Sequence, residues 1–289
     1  MKYFLIAAGI LVFLLLCEMI RELHTFRVTH ERIQTGRLSS NMPEMKIALL
    51  SDLHNCSYGK KNEKLLDVLA KEAPDLILVS GDMLVGLKDT PADVAKSFMC
   101  EAVKIAPVFY GNGNHEQRMK EHPEEYGDIY AKYKSCLTKV GVACLENGSA
   151  QFSWYGEKIT VTGFEIPLSY YKKFTGENLT VQEMEALIGK SESEGLQILI
   201  AHNPVHGKAY EAWGADLAVS GHLHGGIVRL PFLGGVITPQ VRLFPKYSGG
   251  MYQVGNMSFV VSRGLGTHTF PIRLFNEAEL VMLHIKGTK

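Results

Sequence analysis

The chain has 289 residues, 46% hydrophobic and 21% charged, the composition of a globular protein with one large core, or two at most, and no disordered tail. Thirty basic residues balance thirty acidic ones, so no bulk field favours nucleic acid, no nucleic-acid binding is expected, and any anionic substrate must be drawn by a local site. The five cysteines, at 17, 56, 100, 136 and 144, are odd in number and form no CxxC pair, which suits free thiols in a reducing compartment rather than a disulfide framework.

Residues Phe4 to Cys17 are uninterrupted apolar or Gly, and Met19 and Ile20 extend the run past Glu18. As a helix rising ~1.5 Å per residue, Tyr3 to Ile20 reaches roughly 27 Å, enough for a thin bilayer. No small-x-small cleavage site follows, and Leu16 stands where a lipoprotein box wants a small residue before Cys17. Residues 3–20 are therefore expected to be an uncleaved, single-pass transmembrane anchor. Arg21, Arg27, Arg32 and Arg37 follow it, against Lys2 and the amino terminus before it; the positive-inside rule then puts the rest of the chain on the cytoplasmic side. Residues 21–44 are polar and closed by Pro43, and read as a tether.

From about residue 45 to the end, short apolar runs alternate with helical stretches. Lys46–Leu50, Asp75–Ser80, Val108–Tyr110, Ile159–Thr162, Gln197–Ala201, Asp216–Ser220, Ser258–Ser262 and Leu280–Ile285 read as buried strands, being short and rich in β-branched residues. Asn62–Ala73 carries Leu65, Leu66, Val68 and Leu69 at helical spacing, an amphipathic crossover. Tyr126–Val140 predicts another helix, and Thr180 with Glu183 is a capping box opening a third through about Lys190. Strand and helix in alternation argue a layered α/β domain over 45–289.

Polar clusters directly follow five of these strands: Ser51-Asp52-Leu53-His54, Ser80-Gly81-Asp82, Gly111-Asn112-Gly113-Asn114-His115-Glu116, His202-Asn203-Pro204, and Ser220-Gly221-His222-Leu223-His224-Gly225-Gly226. Singly, each has a bland reading. Asp-x-His and Gly-Asp occur in ordinary surface turns, and Gly-Asn-His suits a turn with left-handed asparagine. Gly-His-x-His is more specific, because alternate residues of an extended segment put both imidazoles on one side. The carboxyl ends of strands in an α/β sheet form one rim, so the five clusters can converge on one crevice.

Together they resemble the calcineurin-like metallophosphoesterases: Asp52-x-His54, Gly81-Asp82, Gly113-Asn114-His115-Glu116, His202 and Gly221-His222-x-His224 match that family's signature blocks in order. Farther on, Arg229-Leu230-Pro231-Phe232-Leu233-Gly234, Ser262-Arg263-Gly264-Leu265-Gly266-Thr267 and Pro271-Ile272-Arg273 look like the bacterial membrane-associated branch, which includes enzymes similar to UDP-diacylglucosamine pyrophosphatases. The resemblance implies a layered α/β/β/α sandwich. It also implies that Asp52, His54 and His224 hold one divalent metal, that Asn114, His202 and His222 hold a second, and that Asp82 bridges them. His115 would be the acid assisting the leaving group. Two positions depart from the common pattern, Val85 where many relatives carry an acid and Ile227 where many carry Gln; neither is a ligand position, so they bear on substrate choice.

Two divalent ions against two anionic ligands, Asp52 and Asp82, leave about two positive charges in the site, or one with a bridging hydroxide. That balance favours an anionic phosphoester over a neutral amide or glycoside, and a metal-bridging hydroxide suits attack on a phosphomonoester, a phosphodiester or a pyrophosphate. Oxygen and imidazole ligands without thiolate admit Mn, Fe or Zn. The anchor and the C-terminal resemblance lean toward a phosphorylated small molecule or a lipid-linked, phospholipid-type substrate, with a broad-specificity phosphodiesterase and a protein phosphatase as the alternatives within the class. The rival classes are a non-catalytic, metal-loaded scaffold that binds phosphate, and a structural metal; the second conflicts with the Asp, Asn and His donor set, since structural zinc prefers Cys and His. Of the other histidines, His24, His30, His122 and His284 read as surface or structural, while His206 and His268 lie nearer the candidate loops. Arg229, Arg263 and Arg273 are candidates for gripping a second phosphate bidentately.

Overall fold

The apolar runs after residue 45 build two six-stranded sheets packed face to face, in a computed structural model that describes residues 1–172, 178–230, 232–238, 243–267 and 271–289. One sheet holds β1 (Phe26–Thr35), β2 (Met45–Leu50), β3 (Leu76–Val79), β4 (Val108–Gly111), β5 (Ala143–Leu145) and β14 (Ala278–Gly287), in the order β1-β14-β2-β3-β4-β5. The other holds β6 (Gly148–Trp154), β7 (Glu157–Phe164), β8 (Leu196–Ala201), β9 (Leu217–Ser220), β12 (Gly250–Val254) and β13 (Met257–Val261), in the order β12-β13-β9-β8-β7-β6. A ribbon of β10 (Val228–Leu230) and β11 (Gly234–Ile237) stands beside them. Strands β2 to β5 run parallel to one another, as do β7, β8, β9 and β13.

The eight helices are α1 (Lys2–His24), α2 (Glu63–Glu72), α3 (Asp93–Ala102), α4 (Asn114–Glu121), α5 (Pro123–Tyr126), α6 (Ile129–Lys139), α7 (Val181–Ile188) and α8 (Gly207–Trp213) among the described residues. Because strand side chains alternate faces, Ile47 and Leu49 of β2 meet Ile198, Ile200 and Val219 between the sheets, while Ala48 and Leu50 face outward among Leu65, Phe98 and Leu137 of α2, α3 and α6. On the far side, Leu199, Ala218 and Phe259 pack under Met184 of α7 and Tyr210 and Trp213 of α8. Both faces of each sheet are thus covered, which is why β3, β4, β8 and β9 are apolar without alternation. The layers run α/β/β/α, as the family resemblance implies.

Residues 21–44 depart from the expected tether. Helix α1 continues to His24, and β1 pairs in parallel with β14 from Phe26↔Ala278 to Thr35↔Gly287. The segment is an edge strand with one partner, and of its ten residues only Ile33 is fully buried. An edge strand is kept from pairing elsewhere by exposed charge, and the same charge makes the sequence look like a linker. The helix expected over Tyr126–Val140 is narrower, since Gly127 at φ 63° separates α5 from α6. The capping box is present at α7: the Glu183 amide donates to Thr180 Oγ1 at 3.3 Å and the Thr180 amide to Glu183 Oε2 at 2.9 Å.

The N-terminal helix α1 is long and apolar enough to cross a membrane. Its one buried side chain among the described residues is Glu22.

Candidate metal centre

Three loops from the first sheet and two from the second meet at the carboxyl ends of β2, β3, β4, β8 and β9. The first two are laced by backbone: the Asp52 amide donates to the Gly81 carbonyl at 2.9 Å and the His54 amide to the Asp82 carbonyl at 3.1 Å. Glycine permits the closest approaches. A Cβ on Gly113 would lie 2.2 Å from Asp82 Oδ1, and one on Gly221 would lie 2.1 Å from Asp52 Oδ2. Asp52, His54, Asp82, His222 and His224 all have positive φ, between 47° and 71°. Left-handed backbone in non-glycine residues costs of order 1–3 kcal/mol each and clusters where a site needs it.

All eight sequence-predicted residues are buried, Asp52, Asp82 and His202 to within 1% of complete. The side chains of seven of them, all but Asn114, form three interlocking groups: Asp52, His54 and His224; His54, Asp82 and His115; Asp82, His202 and His222. His202 Nε2 stands 3.0 Å from Asp82 Oδ2, His224 Nε2 stands 3.4 Å from Asp52 Oδ1, and His54 Nε2 stands 3.8 Å from Asp52 Oδ1 and 3.9 Å from Asp82 Oδ2. His222 adds its backbone amide, which donates to both oxygens of Asp52 at 3.1 Å.

The imidazole tautomers follow from the other ring nitrogens. His54 Nδ1 lies 3.1 Å from the Leu84 carbonyl, His202 Nδ1 2.6 Å from the Ser80 carbonyl, and His224 Nδ1 3.0 Å from the Gly266 carbonyl. A carbonyl only accepts, so each Nδ1 carries a proton and, in the neutral ring, each Nε2 turns its lone pair inward. His54 Nε2 and His224 Nε2 then face each other at 3.2 Å, two lone pairs that a cation between them would reconcile. His202 Nε2 meets Asp82 without hydrogen-bond geometry, and Asn114 Oδ1 is buried with no hydrogen-bond partner among the described residues. Backbone carbonyls that orient ligating histidines in this way are the usual outer support of a metal site. The donors fit divalent cations.

His115 is turned the opposite way. Its Nδ1 accepts from the Gly86 amide at 2.7 Å, so in the neutral ring Nε2 carries the proton, 3.8 Å from Asp82 Oδ2.

The electrostatics agree with a cation site. Burial opposes charge on Asp82, yet His202, His115 and His54 around it hold its carboxyl well below the usual range. Burial also opposes charge on His202, yet Asp82 and Asp52 raise it to about 9. Asp52 is pushed up to about 6 by burial, with Asp82 adding to the rise. Protons thus take the place that metal charge would fill, and metal binding would release them.

Sequence reasoning missed several supports. Glu116, raised to about 7 by burial and by Asp82, accepts from the amides of Asp82, Gly113 and Leu84 at 2.8–3.0 Å and from the Tyr110 hydroxyl at 3.0 Å. It clamps two of the five loops, and its place three residues after the Gly113 N-cap was the available signal. Tyr171 sets its ring edge on His222 at 4.9 Å between centroids. Asn276 donates from Nδ2 to the carbonyls of His224 at 2.6 Å and Gly226 at 2.5 Å.

The candidate phosphate-binding arginines have other work. Arg273, 1% exposed, donates to the carbonyls of Arg263, Gly264, Gly266 and Asn276. Arg229 Nη1 donates to the Gly225 and Ser248 carbonyls, and Arg263 faces Glu279 at 3.5 Å. Arg273 and Arg229 thus brace the loops that follow His224, and Arg263 is paired. Of the remaining histidines, His30 pairs with His284, His122 with Glu124, and buried His206 stacks edge-on with Tyr170. His268 and Pro231 lie outside the described residues.

Beside the centre, Val205, Leu223, Leu243, Pro245, Lys246 and Tyr247 line a cavity of about 220 Å³. Leu223 sits between His222 and His224, so one wall of this recess belongs to a candidate ligand loop.

Residues 45–226 match the calcineurin-like phosphoesterase family. The chain is similar to metallophosphoesterase YkuE of Bacillus subtilis, 27% identical over 274 residues, covering 92% of this chain and 88% of that one. It is similar to phosphodiesterase YaeI of Escherichia coli, 25% identical over 251 residues, covering 85% and 83%. It also resembles a transmembrane protein with metallophosphoesterase domain from Bos taurus, 27% identical over 274 residues, which cover 90% of this chain but 57% of the bovine one.

Proposed function

The chain belongs to the calcineurin-like phosphoesterase family and is a metal-dependent hydrolase, and from that premise we propose that its centre takes two divalent ions and hydrolyses a lipid-linked phosphoester or pyrophosphate at a membrane. In this reading Asp52, His54 and His224 hold one ion, Asn114, His202 and His222 the other, and Asp82 both. The observation that carries it is the inward turn of three Nε2 lone pairs onto two buried carboxylates, with every Nδ1 proton tied to a backbone carbonyl. Mn, Fe and Zn all suit this donor set. Two such ions, when bound, supply Lewis-acid polarisation of phosphoryl oxygens and a lowered pKa for water between them.

The protein's own part is positioning and proton transfer. Glu116 and the Gly113 and Gly221 turns hold the loops at a separation that other residues would prevent. Asp82 keeps its negative charge because three histidines surround it. His115 presents an Nε2 proton to the side of the centre, where a leaving alkoxide or phosphate needs one. The apolar recess with Lys246 at its edge suits a substrate that joins a hydrocarbon part to an anionic group. Helix α1 is the membrane anchor in this reading, with the arginines after it favouring the cytoplasmic side.

The test uses the full chain in detergent, stripped by chelation and reloaded with Mn, Zn, Fe or Mg in turn. Mono- and diester nitrophenyl phosphates and nucleotide-sugar lipids are compared as substrates. Hydrolysis should require metal, with two ions per chain by elemental analysis. Asp82→Asn should lose most turnover and at least one ion while the circular dichroism is unchanged. Full activity of that variant with both ions bound contradicts the bridging role. A rate on the lipid no better than on soluble esters removes the lipid-linked part.

A further inference from the structure

Strand β14 runs antiparallel to β2, and β1 runs parallel to β14. The start of β1 therefore lies at the carboxyl end of β2, the end that carries Asp52 and His54. Helix α1 precedes β1 by a single residue, Thr25, so it leaves the domain on the rim that holds the metal centre. The exit is fixed by side chains as well. Glu22, 3% exposed, accepts from the Asn276 amide at 3.0 Å, and Arg21 meets Glu277 at 3.3 Å. Asn276 in turn holds the His224 and Gly226 carbonyls. One buried asparagine thus joins the last turn of the membrane-length helix to a proposed ligand loop.

The same rim carries large apolar side chains in the open. Phe232 is 107% exposed, Leu243 65%, Leu233 63%, Phe244 59% and Phe275 50%. Phe275 adjoins Asn276, and the Leu274 carbonyl accepts from the Arg229 amide of β10 at 3.0 Å, which sets the β10–β11 ribbon beside the helix exit. The Phe244 amide donates to the Val236 carbonyl of β11 at 2.9 Å, adding the third loop to the group. Phe232, Phe244 and Phe275 have φ of 67°, 46° and 55°, a left-handed backbone that a bulky aromatic residue rarely adopts. Asn or Gly at these positions would relieve the backbone and the exposure together, so phenylalanine there has a use outside the folded domain.

We infer that this apolar rim is a second membrane contact: Phe232, Leu233, Leu243, Phe244 and Phe275 enter the interfacial zone of the bilayer around the exit of α1, and the domain lies with its metal centre facing the lipid surface. The inference rests on the reading of α1 as an anchor, because a spanning helix fixed to this rim by Glu22 and Arg21 delivers these side chains to the bilayer. Aromatic side chains favour that zone, and apolar area buried there adds to the hold of the span. The recess lined by Leu243, Tyr247 and Leu223 then opens from the lipid side toward His222 and His224.

The experiment places the full chain in vesicles of phosphatidylcholine and phosphatidylglycerol, with or without bromine on the acyl chains. Tryptophan emission is read for Phe232→Trp and Phe244→Trp against the parent chain. Tyr155→Trp is the reference, since Tyr155 is 70% exposed in the β6–β7 turn, at the opposite end of the parallel strands. The emission added at 232 and at 244 should be blue-shifted and mostly lost in brominated vesicles, and that added at 155 should be unchanged. Emission at 232 and 244 as insensitive to bromine as at 155, in a chain that floats with the vesicles, overturns the rim contact and leaves the anchor standing. A chain that does not float with vesicles overturns the anchor and the contact together. Hydrolysis of a soluble nitrophenyl ester by the same samples reports on the metal centre separately.

Discussion

His115 and His54 lie with ring centroids 5.0 Å apart, yet they are set up for different work. The Leu84 carbonyl accepts from Nδ1–H of His54, whereas the Gly86 amide donates to Nδ1 of His115 and leaves that ring's proton on Nε2. One ring is turned to donate a lone pair, the other a proton. General-acid assistance is worth about 10²–10⁴-fold, so His115→Ala should lower kcat by that order on esters with poor leaving groups and by far less on nitrophenyl esters. Two ions per chain should remain. An equal loss on both substrates, or loss of metal, contradicts the role. Glu279, 2% exposed, makes a different prediction. Burial raises its carboxyl to about 7 against the pull of Arg27, Arg229 and Arg273. From the unfolded value of about 4.5 up to about 7, the folded chain keeps a proton that the unfolded chain releases. Stability therefore falls with rising pH across that window, by at most about 1.4 kcal/mol per unit. The stability of Glu279→Gln relative to the parent should rise across the same window and level off above it. Denaturation at several pH values checks this, and a difference that does not change with pH means the carboxyl titrates at its ordinary value.

At the scale of elements, the edge strand β1 decides where the chain can be shortened. It covers β14 along ten residue pairs, and β14 is apolar and almost wholly buried. A chain starting at residue 45 leaves β14 as a long uncovered edge, a template for pairing with another copy. It should aggregate or melt well below the parent. A chain starting at residue 25 keeps β1 and should stay folded and monodisperse by size exclusion, although it loses the Glu22 contact to Asn276. Equal solubility and melting of the two truncations means that β1 adds nothing to the sheet. Residues 21–44 read as a tether in sequence because they carry the polarity of a linker. That polarity belongs to an edge strand with solvent on one side, and the partner that makes it a strand lies some 250 residues away in β14.

At the scale of the whole molecule, the proposed anchor sets where the enzyme works. The full chain should sediment with membranes and resist salt and alkali, because a helix of this length and apolarity leaves a bilayer only with detergent. The Arg21, Arg27, Arg32 and Arg37 side chains after it predict a cytoplasmic domain. Protease added to inverted vesicles should digest the domain, and protease added to cells stripped of outer barriers should spare it. The reverse pattern refutes the orientation and leaves the metal centre untouched. Extraction by alkali alone refutes the anchor.

The strand ends and the order of the five polar clusters were legible in the sequence, whereas the set Asp52, His54, Asp82, Asn114, His202, His222 and His224, with His115 beside it, is what the family resemblance implies. Each cluster directly follows a buried strand, and parallel strands of one sheet end on one rim, so local pattern groups three clusters and two clusters separately; the packing of the two sheets brings those rims together. The apolar helix was legible as well, since length and composition carry the signal. What only the tertiary structure decided depends on partners distant in the chain. Whether an imidazole presents a lone pair or a proton is set by a carbonyl or an amide from another loop, as Ser80 does for His202 and Gly86 for His115. Arg273, in sequence either a phosphate-binding candidate or a surface charge, is buried with its guanidinium bonded to four carbonyls. Glu22, within the apolar helix and beyond the family match, has no local feature that ties it to Asn276 or to the loop of His224. That link exists because β1 is drawn to β14, and the pairing brings the end of the helix to the rim.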